Sequence, residues 1–515
     1  MSITKSIAFG VGATWFSRCT TILLGLLLMP VLFAQLDKEE LGVWMLLGQT
    51  WMVMGILDLG LTPTITRKIA LAKGKTGSDP NTPINDLTRR EIADLVESGK
   101  RLYRWLSICG FVTSFSIGFF YLRQMPLATL NVGVAWIAWG ILCLAQALGI
   151  WASIWTSLLQ GMGYVGWEAI LASLVSSLVL LTQLVALFLG GGLVALASIA
   201  AIGALSQRYL ILGFARKRRP ELFALKGSWS PATVRSMVPS ALRSWATSLG
   251  TVLVMSTDQY FIAATDGLKD VPAYRAAYLL LYNLSCMSTA MAGASAVFVS
   301  HLWQSSEIEQ IHRVVFRNLR FGLGVMAAGG ACILVLGDRL FVVWLGAGNF
   351  IGYPCLILFF ALLIFESQSF IITTSSRATE DEAYAISSMA GGALKLALAW
   401  ILAPRYGVVG IAASTLLAQF CTNHWYMVYT GMRRLQISLR TYFFDVIVPV
   451  ICLFSAVLLA VSVTLSFSGF QSGISSLFAG TFTAGIVLSC YMWLYVLEAG
   501  QRTRLSHWLG MRFNR

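Results

Sequence analysis

Residues 7–34 read IAFGVGATWFSRCTTILLGLLLMPVLFA, an apolar run interrupted by a single charge, Arg18. A helix needs about 20 mostly apolar residues to cross the hydrocarbon core of a bilayer, so this run is long enough to span. It is too long for a signal-peptide core and is retained as a first helix. Working outward, further windows of the same kind fall near 41–66, 102–122, 132–160, 165–189 and 192–213, then 238–263, 273–300, 316–337, 353–373, 383–403 and 407–430, and finally 443–467 and 474–497. Composition agrees: 57% of the 515 residues are hydrophobic, 12% are charged and the mean hydropathy is +0.73, against about 25% charged residues in soluble domains. These readings predict an all-α polytopic membrane protein of about fourteen transmembrane helices. They exclude a soluble enzyme with one anchor.

The net charge of +14 would suggest nucleic acid in a soluble chain, but in a polytopic one it is what basic cytoplasmic loops produce. No nucleic-acid partner is expected. With the amino terminus placed inside, 28 Lys and Arg fall in inside segments, among them Arg67 to Arg104 and Arg208 to Arg235, and six fall outside. Arg18, Arg243 and Lys395 remain within helices. An even helix count then puts both termini in the cytoplasm. The longest polar segments, 71–100 and 213–237, both lie inside. Thr88 with Glu91 makes a capping box in the first, opening a short helix whose Ile92, Leu95 and Val96 lie on the membrane surface or pack under the bundle. The second carries Arg216, Lys217, Arg218 and Arg219 and reads as a linker.

The two halves echo each other, each opening with a helix that carries one arginine, Arg18 or Arg243. Internal duplication of this kind suits a secondary transporter with substrate between its repeats. The expected domains are an N-terminal lobe (1–213, six helices), a basic linker (214–237), a C-terminal lobe (238–435, six helices), and the last two helices with the tail (436–515).

Enzyme signatures are scarce. No phosphate loop, HExxH or GxSxG motif occurs, and no outside loop is large enough for a catalytic domain, so no enzyme activity, cofactor or metal is expected. His301, His312, His424 and His507 fall at or near helix ends and read as interfacial. The nine cysteines lie in apolar runs without paired spacing and read as packing residues. Trp44, Trp136, Trp344 and Trp425 belong to interfacial belts. Trp15, Trp151 and Trp155 are deeper, where a ring either packs or stacks on a sugar.

Ionisable groups inside spans are functional-site candidates because charge at that depth is costly. Arg18 comes first, about three turns into its helix. Arg243 either snorkels to headgroups or joins Arg18 at the mouth of a cleft, where the guanidinium fork suits phosphate oxygens. Lys395 is either a third cation for an anionic substrate or the partner of a carboxylate such as Glu366. Asp58, Asp258 and Glu366 are candidates for ion coupling or gating, with a structural role favoured for the two aspartates and Arg275 a possible partner for Asp258. Glu168 reads as a dipole partner at a helix start.

The opening GVGATWFSRCTTILLGLLLMPVLFAQLDKEELGVWMLLG followed by DLGLTPTITRKIA resembles polysaccharide exporters of the O-antigen flippase type, within the multidrug/oligosaccharidyl-lipid/polysaccharide exporter superfamily. LLQGMGYVGWEA, STDQYFIA with VPAYRAAYLL, and APRYGVVGIAASTLLAQF agree, and the likeness covers most of 8–430. The resemblance implies two six-helix lobes around a central cavity, alternating access, and an undecaprenyl-pyrophosphate-linked oligosaccharide as substrate in a bacterial inner membrane. It implies that Arg18 meets the anionic lipid carrier, and it places Arg67 and Asp258 at recurring family positions. Membrane lipids and other polysaccharide assembly proteins are the implied partners. The competing readings are a cation-coupled multidrug antiporter of the same superfamily and, behind it, a membrane polysaccharide polymerase or ligase.

Overall fold

In the computed structural model, the described residues are 3–76, 83–124, 130–224, 227–304, 307–377, 379, 384–467, 473–497 and 502. Among them there is no strand. The helices run α1 (Ile3–Gln35), α2 (Lys38–Met54), α3 (Leu61–Gly74), α4 (Asp86–Gln124), α5 (Val132–Gly161), α6 (Val165–Phe188), α7 (Leu193–Arg218), α8 (Pro220–Ala224), α9 (Pro231–Met255) and α10 (Asp258–Thr265). There follow α11 (Val271–Gln304), α12 (Ile308–Leu345), α13 (Tyr353–Arg377), α14 (Ala385–Gln419), α15 (Trp425–Arg434), α16 (Leu439–Tyr442), α17 (Val448–Ser466) and α18 (Gly473–Tyr491). Each apolar window read from the sequence falls on helix. Among the described residues nine helices are long and apolar enough to cross a membrane, and the chain is a multi-pass membrane protein.

The apolar faces show why. Leu174, Leu178, Leu181 and Val185 form an exposed stripe along α6, at the 3–4 residue spacing of one helix face. Such a stripe would be unstable in water but needs no cover in lipid. Backbone polar groups have no water to bond at that depth, so helices, which satisfy them internally, are the available solution.

The windows also contain breaks that hydropathy does not resolve. The 41–66 window is three pieces: α2, a 3-10 turn over Gly55–Asp58, and α3. Gly60 turns the chain with φ +69°, and a β-carbon there would meet the Ala241 carbonyl oxygen at 2.4 Å, so only glycine fits. Another bend follows Pro404 at Gly407 (φ 53°), inside α14, and separates the two windows read as 383–403 and 407–430. The short capped helix expected near Thr88 is instead the first part of α4, and the cap is Asn85, whose side chain accepts from the Thr88 N–H at 2.8 Å.

Two compact units divide the chain. One comprises 1–272 with 388–396, the other 273–387 with 397–515. In the first, α5 packs against α4, α7 and α3, and α1 against α6. Its core joins Ile65 and Ile69 to Ile92, Tyr103, Ile154 and Leu158. Ile92, Leu95 and Val96 are all buried there, so that face packs under the bundle. Helices α9 and α10 cluster with this unit: the Gln259 amide donates to the Gln49 side chain at 3.0 Å, and the Tyr260 hydroxyl donates to Thr50. In the second unit α12 is central, packed by α13, α17 and α18 through Leu319, Leu323, Ile371, Val457 and Tyr491. The last two long helices therefore share a core with α12.

Candidate functional site

A charged side chain in an apolar helix must find a partner or keep a costly field, so the partners sort the candidates. Lys395 lies on α14 in the stretch belonging to the first unit and is 0% exposed. Its ammonium sits 2.8 Å from Asp258 Oδ1, donates also to the Thr257 hydroxyl, and lies 5.0 Å above the Phe261 ring. Thr257 lies in the short break between α9 and α10, and Asp258 is the first residue of α10. An ammonium has three donors, and this pocket offers a carboxylate, a hydroxyl and an aromatic face. The cation at Asp258 is thus Lys395, where the sequence suggested Arg275, and the carboxylate at Lys395 is Asp258, where it suggested Glu366.

Asp58 ends the 3-10 turn ahead of α3. That helix starts at Gly60, which has no side chain to cap it. Asp58 supplies the missing acceptor, taking the Thr62 backbone N–H at 3.0 Å and the Thr62 hydroxyl at 2.9 Å. The Thr62 and Tyr103 hydroxyls are 2.8 Å apart, and Ser157 donates to the Thr62 carbonyl at 3.4 Å. This ties α3, α4 and α5 together.

Glu366 on α13, in the second unit, heads a cluster the sequence did not assemble. It accepts from the Gln419 amide and lies 3.2 Å from His424 Nε2. The Asn423 amide donates to Gln419 Oε1 at 2.6 Å. Residues Phe420–His424 form a π-helical turn. Its i to i+5 pitch keeps positions 419, 423 and 424 on one side, whereas an α-helix would turn one away. His424 is buried beside Phe365 and Phe420, and its Nδ1 has no hydrogen-bond partner among the described residues, nor has Asn423 Oδ1. The sequence read His424 as an interfacial helix-end residue; the π-turn, whose pitch is invisible in composition, places it beside Glu366.

Arg243, on α9, is exposed. Arg18 lies on α1 and Arg67 on α3, and both side chains are outside the described residues, as are those of Trp15, His301 and His507. Glu168 accepts from the Gln160 amide at 3.2 Å at the start of α6. His312 contacts the Leu435 carbonyl at 2.8 Å, a satisfied helix-end histidine.

One residue was missed. Arg208, read as the start of a cytoplasmic basic stretch, lies inside α7, 9% exposed, with its guanidinium 3.0 Å from the centre of the Trp151 ring on α5. Its Nε and Nη1 have no hydrogen-bond partner among the described residues. The signal was present: Arg208 falls within the 192–213 window. Among the described residues no group of three or more His, Cys, Asp or Glu is placed to hold a metal ion.

Residues 7–299 match the family described as polysaccharide biosynthesis protein. No curated protein matches the chain by sequence. Among solved structures it is similar to the lipid II flippase MurJ in an inward closed conformation, with 13% identity, a TM-score of 0.66, and coverage of 94% of this chain and 99% of that one. An inward-facing multidrug resistance MATE family transporter of the MOP superfamily matches with 14% identity and a TM-score of 0.67, covering 83% of this chain and 98% of that one. An outward-facing one matches with 15% identity and a TM-score of 0.60, over 84% and 96%. At such identities the structural likeness is one of fold, and these neighbours are transporters and flippases rather than enzymes. More than half of the sequence nevertheless falls within one family, and the chain belongs to the polysaccharide biosynthesis proteins, with the polytopic fold that MurJ and the MATE transporters share.

Proposed function

We propose that the chain flips undecaprenyl-pyrophosphate-linked oligosaccharide repeat units from the cytoplasmic to the periplasmic leaflet of a bacterial inner membrane by alternating access, its termini cytoplasmic. The observation that carries this reading is the polysaccharide biosynthesis match over 7–299 on a chain whose fold is also that of a lipid II flippase. The physical task fits. A pyrophosphate and its sugars cannot enter hydrocarbon without replacement of their hydration, while the polyprenyl tail can stay in lipid. A protein that supplies a few cations along the path, and binds weakly enough to release, does that work. The fourteen crossings and the two six-helix lobes belong to this proposal.

In a cell lacking the protein, lipid-linked repeat units should accumulate on the cytoplasmic side and surface polysaccharide should disappear. Complementation with Arg18→Ala is expected to leave both defects in place. Restoration of export by that variant would remove Arg18 from the path, and normal export without the protein would end the proposal.

The acids divide by environment. Asp258 is neutralised by Lys395 and Asp58 caps α3, so Glu366, facing His424, is the carboxylate best placed to exchange a proton during transport. Glu366→Gln is expected to abolish the dependence of flipping on a pH gradient in proteoliposomes without weakening substrate binding. Unchanged gradient dependence would reject that role.

The second reading, a multidrug antiporter, is supported by the inward-facing MATE match, whose TM-score of 0.67 stands beside the 0.66 of MurJ. Equal accumulation of cationic dyes with and without the protein would count against it.

A further inference from the structure

We propose that Arg208, held on Trp151, is a binding site for a lipid-borne phosphate within the helices of the first unit; this deepens the flippase reading and rests on it for the identity of the natural ligand. Four observations converge on it. Arg208 lies ten residues before Arg218 and fifteen after Leu193, so it is about 15 Å and 22 Å from the two ends of α7, well within the depth of the hydrocarbon core. The helix is one of the nine apolar enough to span. It is nine-tenths buried on the side of α7 that carries Ile211 and Ala215 and turns toward α5. No carboxylate is bridged to it among the described residues, and two of its nitrogens have no hydrogen-bond acceptor there.

Lys395, a buried cation of the same unit, has an answer in Asp258. A guanidinium stays charged at every relevant pH, so Arg208 cannot lower the cost by losing its proton. The Trp151 face compensates part of it and fixes the orientation. A ring over one face of the guanidinium leaves the N–H donors along the edge, pointing away from the stack. Nε and Nη1 lie on different edges of the guanidinium, each sharing its edge with Nη2, and either edge, Nε with Nη2 or Nη1 with Nη2, can grip two oxygens of a phosphate at once. Buried donors without acceptors are rare in native proteins, and the residue as a whole keeps 9% of its surface exposed. An anion carried on an apolar tail is the ligand that reaches this depth without crossing hydrocarbon as a bare ion.

The phosphate could belong to a polyprenyl carrier or to an anionic phospholipid of the bilayer, and one experiment separates them. The full-length protein is placed in phosphatidylcholine nanodiscs and retention of undecaprenyl pyrophosphate, undecaprenol and phosphatidylglycerol is read by native mass spectrometry. Charge-assisted hydrogen bonds predict that Arg208→Gln lowers retention of the phosphorylated ligand about 10–100-fold and leaves undecaprenol unchanged. Equal retention by wild type and Arg208→Gln overturns the inference. Should the glutamine variant aggregate, Arg208→Lys, which keeps the charge and loses the fork, decides: weaker pyrophosphate retention supports the site and undiminished retention overturns it. Retention of phosphatidylglycerol alone, lost in Arg208→Gln, keeps the site and removes support from the flippase reading. Strong undecaprenyl pyrophosphate retention that ignores Arg208 does the opposite.

Discussion

Lys395→Met should be the most damaging single substitution described for this chain, destabilising it by about 3–5 kcal/mol, because it strands the Asp258 carboxylate in a buried site. Lys395 has no exposed surface and the Asp258 side chain is 10% exposed, so water cannot replace the lost ammonium. The same reasoning makes Lys395→Met with Asp258→Asn far milder than Lys395→Met alone, since a neutral pair leaves no uncompensated charge. The two sites are in contact, so the single effects should not add. The check is the melting of the purified protein in detergent, followed as loss of monodisperse material by size exclusion. A single variant that melts with the wild type would show the bridge to be dispensable.

Gly250→Ala is expected to have the next largest effect, and from the same region. A β-carbon at Gly250 would lie 2.4 Å from the carbonyl carbon and oxygen of Ser388 and 2.8 Å from the Met389 nitrogen. These are backbone atoms of α14, so neither side can swing away. The helices α9 and α14 approach here through small residues, as packed membrane helices do, and Gly392 faces the Leu253 side chain with a β-carbon position 2.9 Å away. Overpacking costs about 1–3 kcal/mol where side chains can yield; two backbones put this case at the upper end. Separating them also draws Lys395 from Asp258. Gly485→Ala is the control: nothing lies within 4 Å of its β-carbon position, and alanine is the better helix former by about 1 kcal/mol. It should melt at or above the wild type. If Gly250→Ala melts alongside it, the close approach does not hold in the protein.

These two predictions share a feature with Glu366. In each, the residue type and its depth could be read from the sequence, and its partner could not. Lys395 was visible as a charge in an apolar helix, but the break at Thr257 that turns Asp258 toward it was not. Glu366 was visible in the same way, while His424 looked like an interfacial residue until the π-turn at Phe420–His424 placed it beside the carboxylate. Arg208 shows the opposite failure: it stood inside a predicted helix, yet the neighbouring basic run drew it into the loop.

Amino-acid order by itself determined that this chain is helical and membrane-embedded, and that Lys395 and Glu366 are charges within apolar helices. Those properties follow from transfer of residues into hydrocarbon and from the need to close backbone hydrogen bonds within each segment, and both are local. Only the tertiary structure decided that Lys395 is neutralised, that Asp58 caps a helix and that the Arg208 guanidinium rests on Trp151 with no acid bridged to it among the described residues. Pairing depends on the rotation of each helix about its axis and on breaks and close approaches between distant segments, and packing sets these with no trace in hydropathy.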